Sequence, residues 1–222
     1  MGIGLFLLFL ILVPGLMAQV MVRSAINKYS RVPAQSGRSG AQAAAELMAD
    51  AGIHDVQITR ANGFLGDHYD PRTKTLALSP DVYDGHSIAA LGIAAHETGH
   101  AIQHQHLYAP LQVRSTIVPA TMFVSQFVWP VVLIGFLLRS PLLIELGIIG
   151  YAILLVFQLV TLPVEFNASS RAKIILQTSG LINRNEIQGV NSVLNAAALT
   201  YVAAAVATAA QLARLILMNR RR

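Results

Sequence analysis

The sequence predicts a mainly α-helical integral membrane protein, in which transmembrane helices accompany a small water-exposed α+β region. Three observations carry that prediction. Of the 222 residues, 54% are hydrophobic and only 12% charged, with a mean hydropathy of +0.54, far more apolar than a soluble domain of this length. The apolar residues gather in long uncharged runs, each of a length that crosses a bilayer. All seven His and all six Asp fall between residues 23 and 115, so water-facing chemistry is concentrated in one stretch.

Composition also excludes function classes. The net charge is +5 and the pI about 9.9, yet the basic residues are scattered or flank apolar segments, which suits lipid headgroups and not nucleic acid. Nucleic-acid binding is therefore set aside. Cysteine is absent, so any bound metal must be held by His and carboxylates.

The first element, residues 3–22, is uncharged and long enough to cross ~30 Å of hydrocarbon at about 1.5 Å per residue. It reads as a transmembrane helix and not a signal peptide, because no basic residue precedes it whereas Arg23, Lys28, Arg31 and Arg38 follow. Four bases with no acid before Glu46 place residues 23–115 on the cytoplasmic side. Within them, Ser39 to Ala51 is a short helix ended near Gly52. Val56 to Arg60 and Thr75 to Ser79 are extended, separated by turn signals at Asn62-Gly63 and Asp70-Pro71, and predict a small β-sheet. Asp67 to Asp70 can pair with Lys74 to Ser79 as a hairpin, whose edge either receives an extended peptide by strand addition or is purely structural.

Next comes the helix around which the region is built, Ser87 to His104, containing His96-Glu97-Thr98-Gly99-His100. Residues four apart stack on one helix face, so both imidazoles can bind one metal ion, and the glutamate after the first ligand can reach a metal-bound water as general base. The preceding run of small apolar residues builds a buried, rigid support, in which two His and a Glu would be costly without a metal or partners.

Residues 117–162 hold two further apolar runs, Ile117 to Leu138 and Leu142 to Leu162, linked only by Arg139-Ser140-Pro141. So short a link makes an antiparallel transmembrane hairpin and returns residues 163–192 to the compartment of the His pair. Residues 193–218 are apolar, alanine-rich and interrupted by Arg214, with Arg220 to Arg222 following. A fourth span is preferred over an interfacial or packed helix, although it places the arginine tail outside, against the positive-inside tendency.

A catalytic zinc takes three protein ligands and leaves a position for water. Past His106 there is no His and past Asp84 no Asp, so a downstream ligand must be Glu145, Glu165 or Glu186. Glu145 sits at the far end of the hairpin, and Glu186 reads as a solvated helix start, which leaves Glu165. His106 stands at metzincin spacing, but the Gly that turns such chains is replaced by Gln103. His104 and His106 are read as surface residues or as neighbours of the ligands. The missing downstream Asp disfavours site-2-type intramembrane proteases and excludes aspzincins.

Over most of its length the chain resembles the YugP-type membrane-bound neutral zinc metallopeptidases of bacteria. The resemblance rests on the N-terminal span, on LSPDVYDGHSIAALGIAAHETGHAIQH at Leu78 to His104, on the apolar hairpin and on LPVEFNASSRA at Leu162 to Ala172. It implies a zincin-like catalytic domain, His96 and His100 as zinc ligands, Glu97 as the catalytic residue and Glu165 as the third, gluzincin-type ligand. HtpX-type peptidases are similar in plan but carry an Asp four residues after the ligand Glu, where this chain has Ser169. Asn167, Ser169 and Arg171 are the candidates to support the ligands. Tyr69, His68, His86 and Arg171 are candidate oxyanion donors, for which structural roles are the stronger reading.

The expectation is thus a multi-pass cell-membrane endopeptidase holding one Zn²⁺ per chain. It cleaves peptide bonds of membrane or membrane-proximal proteins by Glu-assisted attack of a zinc-bound water, and its oligomeric state is undetermined. The rival readings are a catalytically silent zinc-stabilised membrane scaffold, which has no need of Glu97, and a metal carrier, which would place more ionisable residues within its spans.

Overall fold

The computed structural model describes residues 2–61 and 66–219. The expected turn at Asn62-Gly63 and the tail Arg220 to Arg222 lie outside the described residues. The chain is mainly helical, with α1 (Gly2–Tyr29), α2 (Gly40–Asp50), β1 (Gln57–Arg60), β2 (His68–Asp70), β3 (Thr75–Leu78), α3 (Pro80–Tyr83), α4 (Ile88–Gln105), α5 (Ala109–Leu137), α6 (Pro141–Thr178) and α7 (Ile187–Asn219). It divides into two compact units. α1, α5, α6 and α7 are each long and apolar enough to cross a membrane by length and composition.

One unit comprises the described residues of Met1–Gln19, Gln112–Pro163 and Leu199–Arg222. Its helices turn Phe6, Leu12, Trp129, Leu146, Ile149 and Val156 outward, the reverse of a water-soluble surface and the pattern a lipid solvent demands. α5 and α6 pack as a hairpin through glycine. A Cβ added at Gly147 would lie 2.3 Å from Val132 Cγ2 and one at Gly150 2.8 Å from Val128 Cγ2, so small residues set the close approach on which membrane helices rely.

The other unit comprises the described residues of Val20–Leu111 and Val164–Ala198. Its small sheet has strand order β1-β3-β2, with β1 parallel to β3 in the register Ile58↔Leu76 and β2 antiparallel to β3 in the register Tyr69↔Leu76. The antiparallel pair is the hairpin expected from sequence, and β2 forms one edge. β3 occupies the centre because Leu76 and Leu78 are fully buried, each worth about 2 kcal/mol in apolar burial. α2 starts with a capping box: Ser39 Oγ accepts from the Gln42 N–H while Gln42 Oε1 accepts from the Ser39 N–H.

α4 is the element shared by two apolar clusters. Leu91 and Ala95 pack with Leu47 of α2, Ala172 and Leu176 of α6 and Val190 and Leu194 of α7. Ala94, Ala101 and Ile102 pack with Ala44 and Met48 of α2, Leu76 and Leu78 of β3 and Val82 of α3. Surrounded in this way, α4 has almost no freedom to shift, which suits an element that carries a site.

Two features differ from the sequence reading. Pro163, placed there just past the third apolar run, lies inside α6, which runs unbroken to Thr178, so Glu165 is a helical residue. Proline removes only its own N–H, and the flanking turns continue. Glu186 is buried, not solvated, because both its oxygens are used: Oε2 accepts from the Asn183 N–H at 2.9 Å and Oε1 from the Gln35 N–H at 2.7 Å.

Candidate metal centre

The site is built on two helices of the second unit. α4 begins at Ser87, whose Oγ accepts from the Ala90 N–H at 3.1 Å and so satisfies one of the orphan donors of the first turn. Two and three turns later come His96 and His100. α6 approaches through Gly99, between the two histidines: a Cβ there would lie 2.7 Å from the Ala168 carbonyl oxygen, closer than any larger residue permits. That contact brings Glu165, one turn before Ala168, over the imidazoles.

Glu165 Oε2 lies 3.2 Å from His96 Nε2 and 3.6 Å from His100 Nε2. The three ligand atoms fall within 4.8 Å of one another. A tetrahedral zinc with bonds near 2.0–2.1 Å spaces its ligand atoms roughly 3.3–3.4 Å apart, so the donor set fits that ion and the two Glu165–imidazole distances bracket its spacing. His96 retains 14% side-chain exposure and Glu165 only 2%, leaving the pair open on the histidine side alone.

Each imidazole is held from behind. Ser169 Oγ lies 3.1 Å from His96 Nδ1. His100 Nδ1 lies 3.0 Å from Gln103 Oε1, and the Gln103 amide donates to the Val164 carbonyl at 2.8 Å and to Asn167 Oδ1 at 2.9 Å. Arg171 Nε donates to the same Asn167 oxygen at 2.8 Å. Asn167, Ser169 and Arg171 therefore all join the hydrogen bonds around the His96, His100 and Glu165 cluster, as does Gln103, which the sequence reading did not single out. Its signal in the sequence was an amide on the ligand face of an apolar helix, three residues after His100, where it is completely buried.

Glu97 is buried beside the pair, and burial pushes its carboxyl up to about 7. His96 and His68 oppose that shift, while Glu165 and Asp67 add to it. A carboxyl poised near neutrality suits a group that must take up and release a proton.

The other candidates stand elsewhere. His104 Nδ1 meets the Tyr69 hydroxyl at 2.8 Å, and burial, with the charges of Asp55 and Asp70, pushes that phenol up to about 12. His106 is exposed at the C-terminus of α4. His68 and His86 are exposed and bonded to the carbonyls of Gly66 and Gly37, and Glu145 is exposed in the first turns of α6. None of them joins the ligand cluster formed among the described residues. A groove of about 720 Å³ opens along the N-terminal half of α4, lined by Ala89, Ala90 and Ile93 together with Asp67, Ser79 and Arg31.

The family model described as "Putative neutral zinc metallopeptidase" matches residues 4–220. The chain is similar to the "Putative membrane protease YugP" of Bacillus subtilis (strain 168), at 49% identity over 201 residues that cover 90% of this chain and 89% of that protein. No solved structure matches it.

Proposed function

Because the chain belongs to this neutral zinc metallopeptidase family, we propose that it is a membrane-embedded, gluzincin-type endopeptidase. It cleaves peptide bonds of membrane or membrane-proximal proteins. The observation that carries the reading is the convergence of His96, His100 and Glu165 on one point, with a buried glutamate next in sequence to the first of them.

His96, His100 and Glu165 hold one zinc per chain, which when bound supplies Lewis acidity toward water and the scissile carbonyl. Glu97 takes the proton of the attacking water and passes it to the leaving amine. The groove beside Ile93, one turn before Glu97, offers room for an extended stretch of substrate, and the edge strand β2 offers backbone groups to it. The catalytic unit faces the cytoplasm, an orientation supported by the bases Arg23, Lys28, Arg31 and Arg38.

The test compares membrane-protein fragments from cells carrying the parent chain with those carrying Glu97→Gln, and measures zinc in both purified proteins. Fragments lost in the variant, with about one zinc per chain retained in each, are expected. Parental cleavage by Glu97→Gln, or parent protein purified without chelators and free of zinc, overturns the reading.

A further inference from the structure

We infer that Gln103 is a positioning residue that fixes which nitrogen of His100 faces the metal, through hydrogen bonds in which His100 donates to Gln103 while Gln103 and Arg171 both donate to Asn167. The inference rests on the proposed role of His100 as a zinc ligand.

The direction of every bond follows from what each group can do. A guanidinium only donates, so the atom of Asn167 that faces Arg171 Nε at 2.8 Å is its carbonyl oxygen. That oxygen also lies 2.9 Å from the Gln103 amide group, which must then present its nitrogen. The second N–H of the same nitrogen is used by the Val164 carbonyl at 2.8 Å. With both amide hydrogens committed, the oxygen of Gln103 is what remains for His100 Nδ1 at 3.0 Å. A carbonyl oxygen only accepts, so Nδ1 carries the proton and Nε2, the nitrogen facing Glu165, keeps its lone pair.

Burial makes these bonds obligatory, since Gln103 is 0% exposed and no solvent stands ready to replace a partner. His96 has no such lock, because the Ser169 hydroxyl beside its Nδ1 can donate or accept. Gln103 also grips the carbonyl of Val164, the residue before Glu165. A single amide thereby orients one ligand on α4 and the backbone that carries another on α6.

The experiment uses the full-length chain in detergent, stripped of metal and titrated with zinc against a chromophoric chelator. Gln103→Met keeps the size and removes the hydrogen bonds, and its zinc affinity should fall ~10–100-fold, as loss of an outer partner does. His106→Ala, exposed at the end of α4 and outside these hydrogen bonds, should bind zinc as the parent does. The visible spectrum of the cobalt(II)-loaded protein should move in Gln103→Met and not in His106→Ala. Should Gln103→Met not fold, Asn167→Leu, which removes one of the two acceptors that hold the Gln103 amide, is expected to lower zinc affinity in the same direction. A folded Gln103→Met, or in its place a folded Asn167→Leu, that binds zinc as the parent does overturns the inference while leaving the proposed function intact. A parent that takes up no zinc removes both.

Discussion

A buried carboxyl whose pKa has risen to about 7 links Glu97 to pH in a defined direction. The folded value lies above the ordinary one of 4.5, so the group supports folding at acid pH, and that support is lost as pH rises from about 4.5 through about 7. In metal-free protein Glu97→Gln should match the parent near pH 4. At pH 8 it should exceed the parent by up to about 3 kcal/mol, because no buried charge is left. Thermal unfolding in detergent with chelator reads both values, and equal stability at pH 8 would contradict the burial of the charge. The proposed ligand set is tested by a different pair of variants. Glu165→Ala should weaken zinc binding by more than the ~10–100-fold expected of an outer partner, whereas His106→Ala should leave it unchanged. Chelator competition decides between them. If the His106 change strips the metal and the Glu165 change does not, the ligand set is metzincin-like.

Among the elements, α4 controls how closely its neighbours approach, and its two glycines separate that role into testable halves. Gly99→Ala places a methyl 2.7 Å from the Ala168 carbonyl, and such overpacking costs about 1–3 kcal/mol; it should also spread α4 from α6 and weaken zinc binding. Gly92→Ala meets Val190 at 3.6 Å, an ordinary contact, so it should be neutral or gain up to about 1 kcal/mol from helix propensity. Thermal unfolding with and without zinc measures each. α4 was legible in the sequence because its ligands, cap and apolar faces repeat with one local period. The nearness of Glu165 to the His pair was legible because acids are so few past that pair that elimination could act. The parallel pairing of β1 with β3 was not legible, since no turn specifies it, nor was the passage of α6 through Pro163, where packing of the flanking turns overrides a local break signal. Gln103 and Glu186 were hidden for a shared reason: their partners, Val164 and Asn167 for one and Gln35 for the other, lie far off in sequence.

At the scale of the molecule, orientation is open to a direct measurement because the chain has no cysteine of its own. Single cysteines introduced at Arg38 and at Gly2 should react with an impermeant reagent from opposite sides: position 38 only after the cells are opened, position 2 while they are intact. Labelling of position 38 in intact cells would reverse the topology. The separation of 69 positions from His96 to Glu165 also carries a temporal meaning. Synthesis delivers the histidine pair first and Glu165 only after the apolar hairpin has been made. A nascent chain therefore owns two of its three ligands and, on the proposed reading, cannot hold the ion tightly until its third long helix is complete. On that reading the protein is made without a complete metal site and acquires one only once most of its own chain has been made.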